Sequence, residues 1–315
     1  MADSANVSSI WDLEGTDSSY EHYRTHPGFE EFRVWVDKAY ARERVEVLLD
    51  NSFLNQFRKG DFAARLWELE LVNRLLDTGL TLVPTNGSGP DFCIVLDDGR
   101  KIWIEAKLVN SDGEIEEIKQ VFAGGNLTEY NTPVRQMALR FASGLVTKAE
   151  KFRDNYKDLL NDSDLIIIAI TAFPPSTLSP DIEFLLKAVM PIEDPLVHFS
   201  TGSTPLSPAV VRPTHSMNSS YRNKNDAVVP KEFLYPGTEF PFIDGVLFSE
   251  ASDLQKLMGV FSSSFDESTI LPHLFTNHSS QKDFPVEFCE NFYFHRWITN
   301  GEMLSLREDP PTKSS

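Results

Sequence analysis

The sequence predicts an α/β fold in which a small mixed central sheet is flanked by helices and is followed by an irregular, proline-rich C-terminal elaboration. From residue 61 the hydrophobic patterns follow the order helix, strand, strand, strand, helix, strand. Residues 164–171, DLIIIAIT, form a continuous apolar run typical of a strand that is covered on both faces. Between residues 173 and 241 the prolines are too dense for long helices.

The N-terminal part of the chain favours helices. Residues 1–28 are acidic and rich in serine, and we expect them to be a mobile segment. Residues 29–60 carry apolar side chains at helical spacing between charges, which indicates one or two helices. Residues 61–79 give the clearest helix, since Asp61 can cap its start, Gly79 can end it and an apolar stripe runs between them.

Three strands are predicted next. Residues 80–84 indicate a short strand that ends at Pro84, and residues 91–96 and 100–109 indicate two strands joined by the tight turn DDG. A polar loop then leads to a second long helix.

The rest of the chain completes the predicted organisation. We expect the second long helix over residues 132–160, with Thr132 as its cap, and a further strand within residues 242–250. Residues 29–172 are predicted to form the core, and residues 173–315 an extension that completes or covers it.

Charge and composition limit the classes of function. The chain has 315 residues, with 29 basic and 47 acidic side chains and a net charge of −18. This balance argues against coating nucleic acid by charge alone, although a local basic groove stays possible. Cys93 and Cys289 are too few for a disulfide framework. We see no signal peptide and no apolar run of membrane-spanning length, so we expect a cytoplasmic protein without a membrane partner.

Charged residues stand where a predicted strand should bury its side chains. In KIWIEAKLV, alternate side chains point to opposite faces. One face is apolar or small and consists of Ile102, Ile104, Ala106 and Leu108. The other face carries Trp103, Glu105 and Lys107. If DDG closes a hairpin, Asp91 comes close to Glu105 and Lys107. Two neighbouring carboxylates tolerate ionisation when a divalent cation lies between them, and magnesium needs only a couple of protein carboxylates.

These residues resemble the motif of the PD-(D/E)XK nuclease superfamily, which has the restriction-endonuclease-like fold. In that motif an aspartate opens one strand and Glu-X-Lys lies on the next, as Asp91 and then Glu105-Ala106-Lys107 do here. The family tends to place a glutamate on the preceding helix, and Glu68 matches it, whereas Glu70 is expected to point largely away. The resemblance covers roughly residues 61–172. This part of the chain is also similar to a set of uncharacterised bacterial proteins with the same core.

The resemblance implies a mechanism and a cofactor. Asp91, Glu105 and the backbone carbonyl of Ala106 would bind Mg²⁺, with Mn²⁺ as a substitute. Lys107 would orient the attacking water, and Glu68 would bind a second metal ion or hold a metal-bound water. Basic side chains on the following helix would contact substrate phosphates, namely Arg140, Lys148 and Lys151. The implied reaction is hydrolysis of phosphodiester bonds, in DNA rather than RNA, by a chain that acts alone, as a homodimer or with a protein partner.

Other hypotheses compete with the nuclease. The same fold could be a catalytically silent module that binds a protein or a nucleic acid, which the net charge of −18 favours. Glu105 and Lys107 could form a weak ion pair on a solvated strand face. The helix that follows could simply expose its basic side chains to solvent, namely Arg140, Lys148 and Lys151. A surface that mimics DNA is disfavoured, because the acidic residues are spread through the chain.

Overall fold

In the computed structural model the chain is described over residues 9–85, 87–109, 127–172, 182–200, 210–217, 220–222, 228–249, 272–280, 282–300 and 303–308. The helices are α1 (Ser18–Thr25), α2 (Glu30–Ala41), α3 (Val45–Leu48), α4 (Phe53–Lys59), α5 (Phe62–Asp77), α6 (Leu127–Lys151), α7 (Ile182–Val189) and α8 (Val286–Cys289). The strands are β1 (Thr81–Val83), β2 (Phe92–Val95), β3 (Lys101–Val109), β4 (Leu165–Ala172), β5 (Ile192–Ser200), β6 (Val210–Met217), β7 (Ser220–Arg222), β8 (Val228–Pro230), β9 (Gly245–Phe248), β10 (His273–Thr276), β11 (Tyr293–Asn300) and β12 (Met303–Glu308).

The main sheet is mixed and has eight strands in the order β1-β2-β3-β4-β9-β10-β11-β12. Strands β1, β2 and β3 are antiparallel neighbours, whereas β3, β4 and β9 run parallel. The predicted α/β architecture with a mixed sheet between helices is therefore confirmed. The sheet is larger than the small one predicted, because four strands from the C-terminal part extend it beyond β4.

Helices cover both faces of the sheet at β3. Ile102, Ile104, Ala106 and Leu108 belong to an apolar cluster that includes Leu66 and Leu69 of α5. Trp103 and Val109 belong to a second cluster, with Phe141 and Leu145 of α6. The alternation predicted for this strand is thus confirmed, and its charged face points towards α6. All eight residues of β4 are buried, as its continuous apolar sequence indicates.

Residues 9–28 pack against the core, which differs from the mobile segment expected from their composition. Tyr20 is fully buried, its ring stacks on Trp11 with centroids 5.1 Å apart, and its hydroxyl donates to the Leu13 carbonyl at 2.6 Å. One of the acidic residues of this segment serves as a helix cap. Asp17 accepts from the backbone N–H of Ser19 at 2.8 Å at the start of α1.

Two helix starts differ from those expected. Asp61 stands before α5, but its side chain makes no capping hydrogen bond, and the N–H of Phe62 donates to Asp17 at 3.5 Å instead. Helix α6 begins at Leu127 and not at Thr132. Gly79 follows α5 with a φ of +72°, the left-handed conformation that ends a helix.

The proline-rich part contains longer strands than predicted. β5 and β6 form a two-stranded antiparallel sheet that includes Pro195 and Pro213. In a two-stranded sheet each strand has an unpaired edge, so a proline can occupy a position whose missing N–H needs no partner. Across the described parts of the chain, we find no helix with the length and apolar character needed to cross a bilayer.

Candidate active site

The hairpin of β2 and β3 brings Asp91 to Glu105. The turn between the strands uses Gly99 at a φ of +86°. The antiparallel register pairs Phe92 with Ile104, which puts Asp91 beside Glu105 at the next step. The backbone N–H of Ala106 donates to Asp91 Oδ2 at 2.7 Å and fixes this carboxylate against β3. The predicted proximity of Asp91 to Glu105 is therefore found, whereas Lys107 lines a different cavity from Asp91.

Glu105 is a fully buried carboxylate held by two lysines of α6. Its Oε1 accepts from Lys148 Nζ at 2.6 Å and from Lys151 Nζ at 2.5 Å. Its Oε2 is buried and has no hydrogen-bond partner in the described part of the chain. A buried carboxylate oxygen without a partner is costly, so this atom marks a place for a further cation or donor.

Glu68 reaches the same region from α5 and is held by Arg65. The guanidinium of Arg65 donates to Glu68 Oε2 at 2.5 Å and to Asp50 Oδ2 at 2.8 Å, and it also bonds Gln56. Arg65 thus joins α5 to the segment before α4. The sequence gives no local sign of this contact, because Asp50 and Arg65 are far apart along the chain.

Glu70 does not point to solvent on the far side of α5. Its side chain is buried and pairs with Arg74 at 3.0 Å. Glu70 lines neither of the two cavities that include Glu68, as expected for a side chain that points away from the site.

Burial and local charges raise the pKa values of the two acids and shift those of the two lysines in opposite directions. Burial and then the negative charge of Asp91 raise the pKa of Glu68 to about 7. Burial and then the charge of Glu105 raise the pKa of Asp91 to about 6. The pKa of Lys107 is lowered by burial and then by the ammonium of Lys148. Burial opposes the shift at Lys151, but its hydrogen bond to Glu105 raises its pKa.

Two cavities meet at Glu68. The larger, here called the cleft, has a volume of about 880 Å³ and exposes Glu68, Asp91, Lys151 and Tyr156. The smaller has about 220 Å³ and is lined by Asp61, Ala64, Trp67, Glu68, Ala106, Lys107, Leu108 and Lys148. Lys107 therefore lines the smaller cavity and not the cleft.

Arg140 is the one predicted phosphate-binding residue that lies apart from this cluster. It precedes Lys148 by eight residues on α6, which is about 12 Å along a helix. Neither cavity lining includes it. Tyr156 was not predicted, and it enters the cleft through the π-helical turn Phe152–Tyr156 that follows α6. Lys151 Nζ lies 5.1 Å from the centre of its ring.

The carboxylate oxygens at this site suit a hard divalent cation that takes few ligands from the protein. Within the described ranges, no group of three or more His, Cys, Asp or Glu side chains is arranged to hold a metal ion. Magnesium commonly takes only one or two protein carboxylates and keeps several waters. Asp91 and the Glu105 oxygen that has no partner among the described residues could supply that pair. The raised pKa of Asp91 reflects its burial and then the negative charge of Glu105, which a cation would neutralise.

Comparisons with known proteins found no matching family model, curated protein or solved structure. The likeness to the nuclease superfamily therefore rests on the residues of this chain alone.

We expect Glu68→Gln to stabilise the metal-free protein at pH 8 by about 1–3 kcal/mol. The pKa of Glu68 rises from 4.5 to about 7 on folding, so the folded state binds more protons than the unfolded state between these values. Stability contributed by this group is present at pH 4 and is lost as the pH rises through 7. Urea unfolding in EDTA at pH 5 and pH 8 measures the difference in the free energy of unfolding between the wild type and Glu68→Gln. Glu43→Gln, at an exposed position, is the control. A destabilised Glu68→Gln at pH 8 would contradict the expectation.

Proposed function

We propose that the protein is a magnesium-dependent nuclease that hydrolyses phosphodiester bonds in DNA. The observation that carries the proposal is the buried acidic group. Glu105 has an unpartnered oxygen, Asp91 lies beside it, and the pKa values of Asp91 and Glu68 are raised. Perturbed carboxylates at the wall of a cleft are typical of catalytic sites.

The chain offers groups for each requirement of phosphodiester hydrolysis. Asp91, Glu105 and the carbonyl of Ala106 would hold the ion. A bound magnesium ion supplies charge neutralisation and a more acidic water. Glu68, with a pKa of about 7, can accept a proton near neutral pH. Lys107 has a lowered pKa and lines the small cavity with Glu68, so it can donate to a water or a phosphate oxygen there.

Helix α6 supplies positive charge in an otherwise negative chain. Lys148 and Lys151 both hold Glu105, with side chains 19% and 36% exposed. Both side chains retain solvent access, so they can turn towards a phosphate once another cation neutralises Glu105. Binding of the scissile phosphate by these two residues overcomes the repulsion that a net charge of −18 imposes.

Cleavage of a labelled DNA substrate by the purified protein tests the proposal. We expect cleavage with magnesium, none in EDTA, and a loss on the order of 10³-fold in Asp91→Ala, because charge stabilisation is the largest catalytic contribution in such sites. Asp97→Ala, in the exposed hairpin turn, is the matched control and should cleave normally. Equal cleavage by the wild type and Asp91→Ala would reject the proposal.

One observation favours the alternative, a catalytically silent module that binds a partner. The two lysines already neutralise Glu105 without a metal ion, and such self-neutralisation suits a structural ion pair. Calorimetric titration with manganese separates the two functions. Ion binding favours the nuclease, and no binding favours the silent module.

A further inference from the structure

The cleft beside Asp91 has a wall that does not come from the sheet or from α6. Residues 46–52, here called the cleft wall, line it together with Glu68 and Asp91. This wall belongs to the N-terminal helical region, outside the segment that carries the nuclease-like motif.

The cleft wall is fixed in place at both ends. Before it, Arg44 adopts a left-handed conformation with a φ of +75°, and its guanidinium donates to the Leu82 carbonyl of β1 at 2.5 Å. Within it, Asp50 accepts from Arg65 at 2.8 Å, and Arg65 also holds Glu68. Leu48 and Leu49 are buried in the core. Moving the wall aside would break buried contacts, so the fold itself holds this side of the cleft in place.

The size of the cleft suits one or a few nucleotides. A volume of about 880 Å³ corresponds to a cube with an edge of about 10 Å, which is within the range of small-ligand pockets. Proteins that bind duplex DNA instead bury roughly 1,000–2,500 Å² of their surface along both strands. A duplex lying across the fixed wall would leave its phosphates outside the cleft.

The charge of the cleft leads to the same conclusion. Among the residues that the structure describes, its charged lining consists of four carboxylates and one ammonium, namely Glu46, Asp50, Glu68, Asp91 and Lys151. A stiff duplex would bring many phosphates to this acidic rim at once. An unpaired strand is flexible and can present a single phosphate to Lys151 and the metal-binding pair, while its other phosphates stay in solvent.

We propose that the substrate of this site is an unpaired stretch of DNA that enters the cleft lined by residues 46–52, and that base-paired DNA is a much poorer substrate. The inference rests on the proposed nuclease function and names its substrate class. A paired nucleotide must first leave its stack to reach Asp91 and Glu105, which adds an unstacking cost to the barrier.

The test compares a labelled single strand with the same strand annealed to its complement. With magnesium, we expect the single strand to be cleaved roughly tenfold faster or more, given the cost of extruding a paired nucleotide. Equal rates would overturn the inference about the substrate but would agree with the proposed nuclease function. No cleavage of either form overturns the nuclease function and this inference with it.

Binding gives a second measurement that does not depend on turnover. In calcium, fluorescence anisotropy should show that Glu46→Gln tightens binding of the single strand by about two- to fivefold, because it removes an exposed carboxylate from the rim of the cleft. Glu43→Gln is the matched control, since Glu43 lines a neighbouring groove and not the cleft. Duplex binding should not change in Glu46→Gln. An equal gain for duplex would show that paired DNA lies in the cleft and would overturn the inference.

Discussion

Glu105→Gln is expected to abolish magnesium binding and to lower DNA cleavage on the order of 10³-fold. The substitution removes one of the two carboxylates that would hold the ion, while Lys148 and Lys151 keep their charge. The local charge becomes positive, so the pocket repels a divalent cation. Calorimetry with manganese and a cleavage assay measure the two effects.

The fold should survive this change. Glutamine has nearly the same shape as glutamate, and the partly exposed lysines can turn to water once they lose their acceptor. Glu150→Gln makes the same chemical change at an exposed position of α6, one residue before Lys151, and should leave both measurements unaltered. Unchanged metal affinity in Glu105→Gln would mean that the ion, if one binds, is held elsewhere.

Lys107→Met is expected to separate metal binding from cleavage. Cleavage should fall by about 10²- to 10³-fold, whereas manganese affinity should be equal or tighter because a nearby positive charge is removed. Lys107 lines the small cavity with Glu68, and its lowered pKa makes it a stronger proton donor than an ordinary lysine.

Packing around Lys107 makes methionine a fair replacement. The stem of Lys107 runs so close to Gly144 of α6 that a Cβ there would lie 3.4 Å from Lys107 Cγ. Methionine keeps the length and apolar stem of lysine, so this contact is preserved. Lys101→Met is the control, since Lys101 lies on the same strand with its Nζ 5.0 Å from the ring of Trp103. Equal losses of metal affinity and cleavage in Lys107→Met would assign Lys107 a structural role.

The sequence predicts the part of the site that depends on local patterns. The alternation in KIWIEAKLV places Glu105 and Lys107 on the face towards α6, and the turn DDG sets the register that brings Asp91 to Glu105. Helical spacing likewise groups Lys148 and Lys151, because residues three apart lie on one side of a helix. These relations need only the strand and helix periods.

Other features depend on contacts between distant segments, which no local pattern reveals. Asp50 and Arg65 meet because α4 turns the chain back on α5, and the π-helical turn that brings Tyr156 into the cleft has no sequence signature. The burial of Trp11 and Tyr20 was missed because composition alone suggested a mobile segment. Of the four C-terminal strands of the sheet, only β9 is predicted, within residues 242–250, so the sequence underestimates the size of the sheet.

Anomalous diffraction from crystals soaked in manganese shows directly whether Asp91 and Glu105 bind a divalent cation together. We expect an anomalous peak between the two carboxylates, with Lys148 or Lys151 turned away from Glu105. Crystals that show both lysines still bonded to Glu105, and no manganese peak beside Asp91, would contradict it.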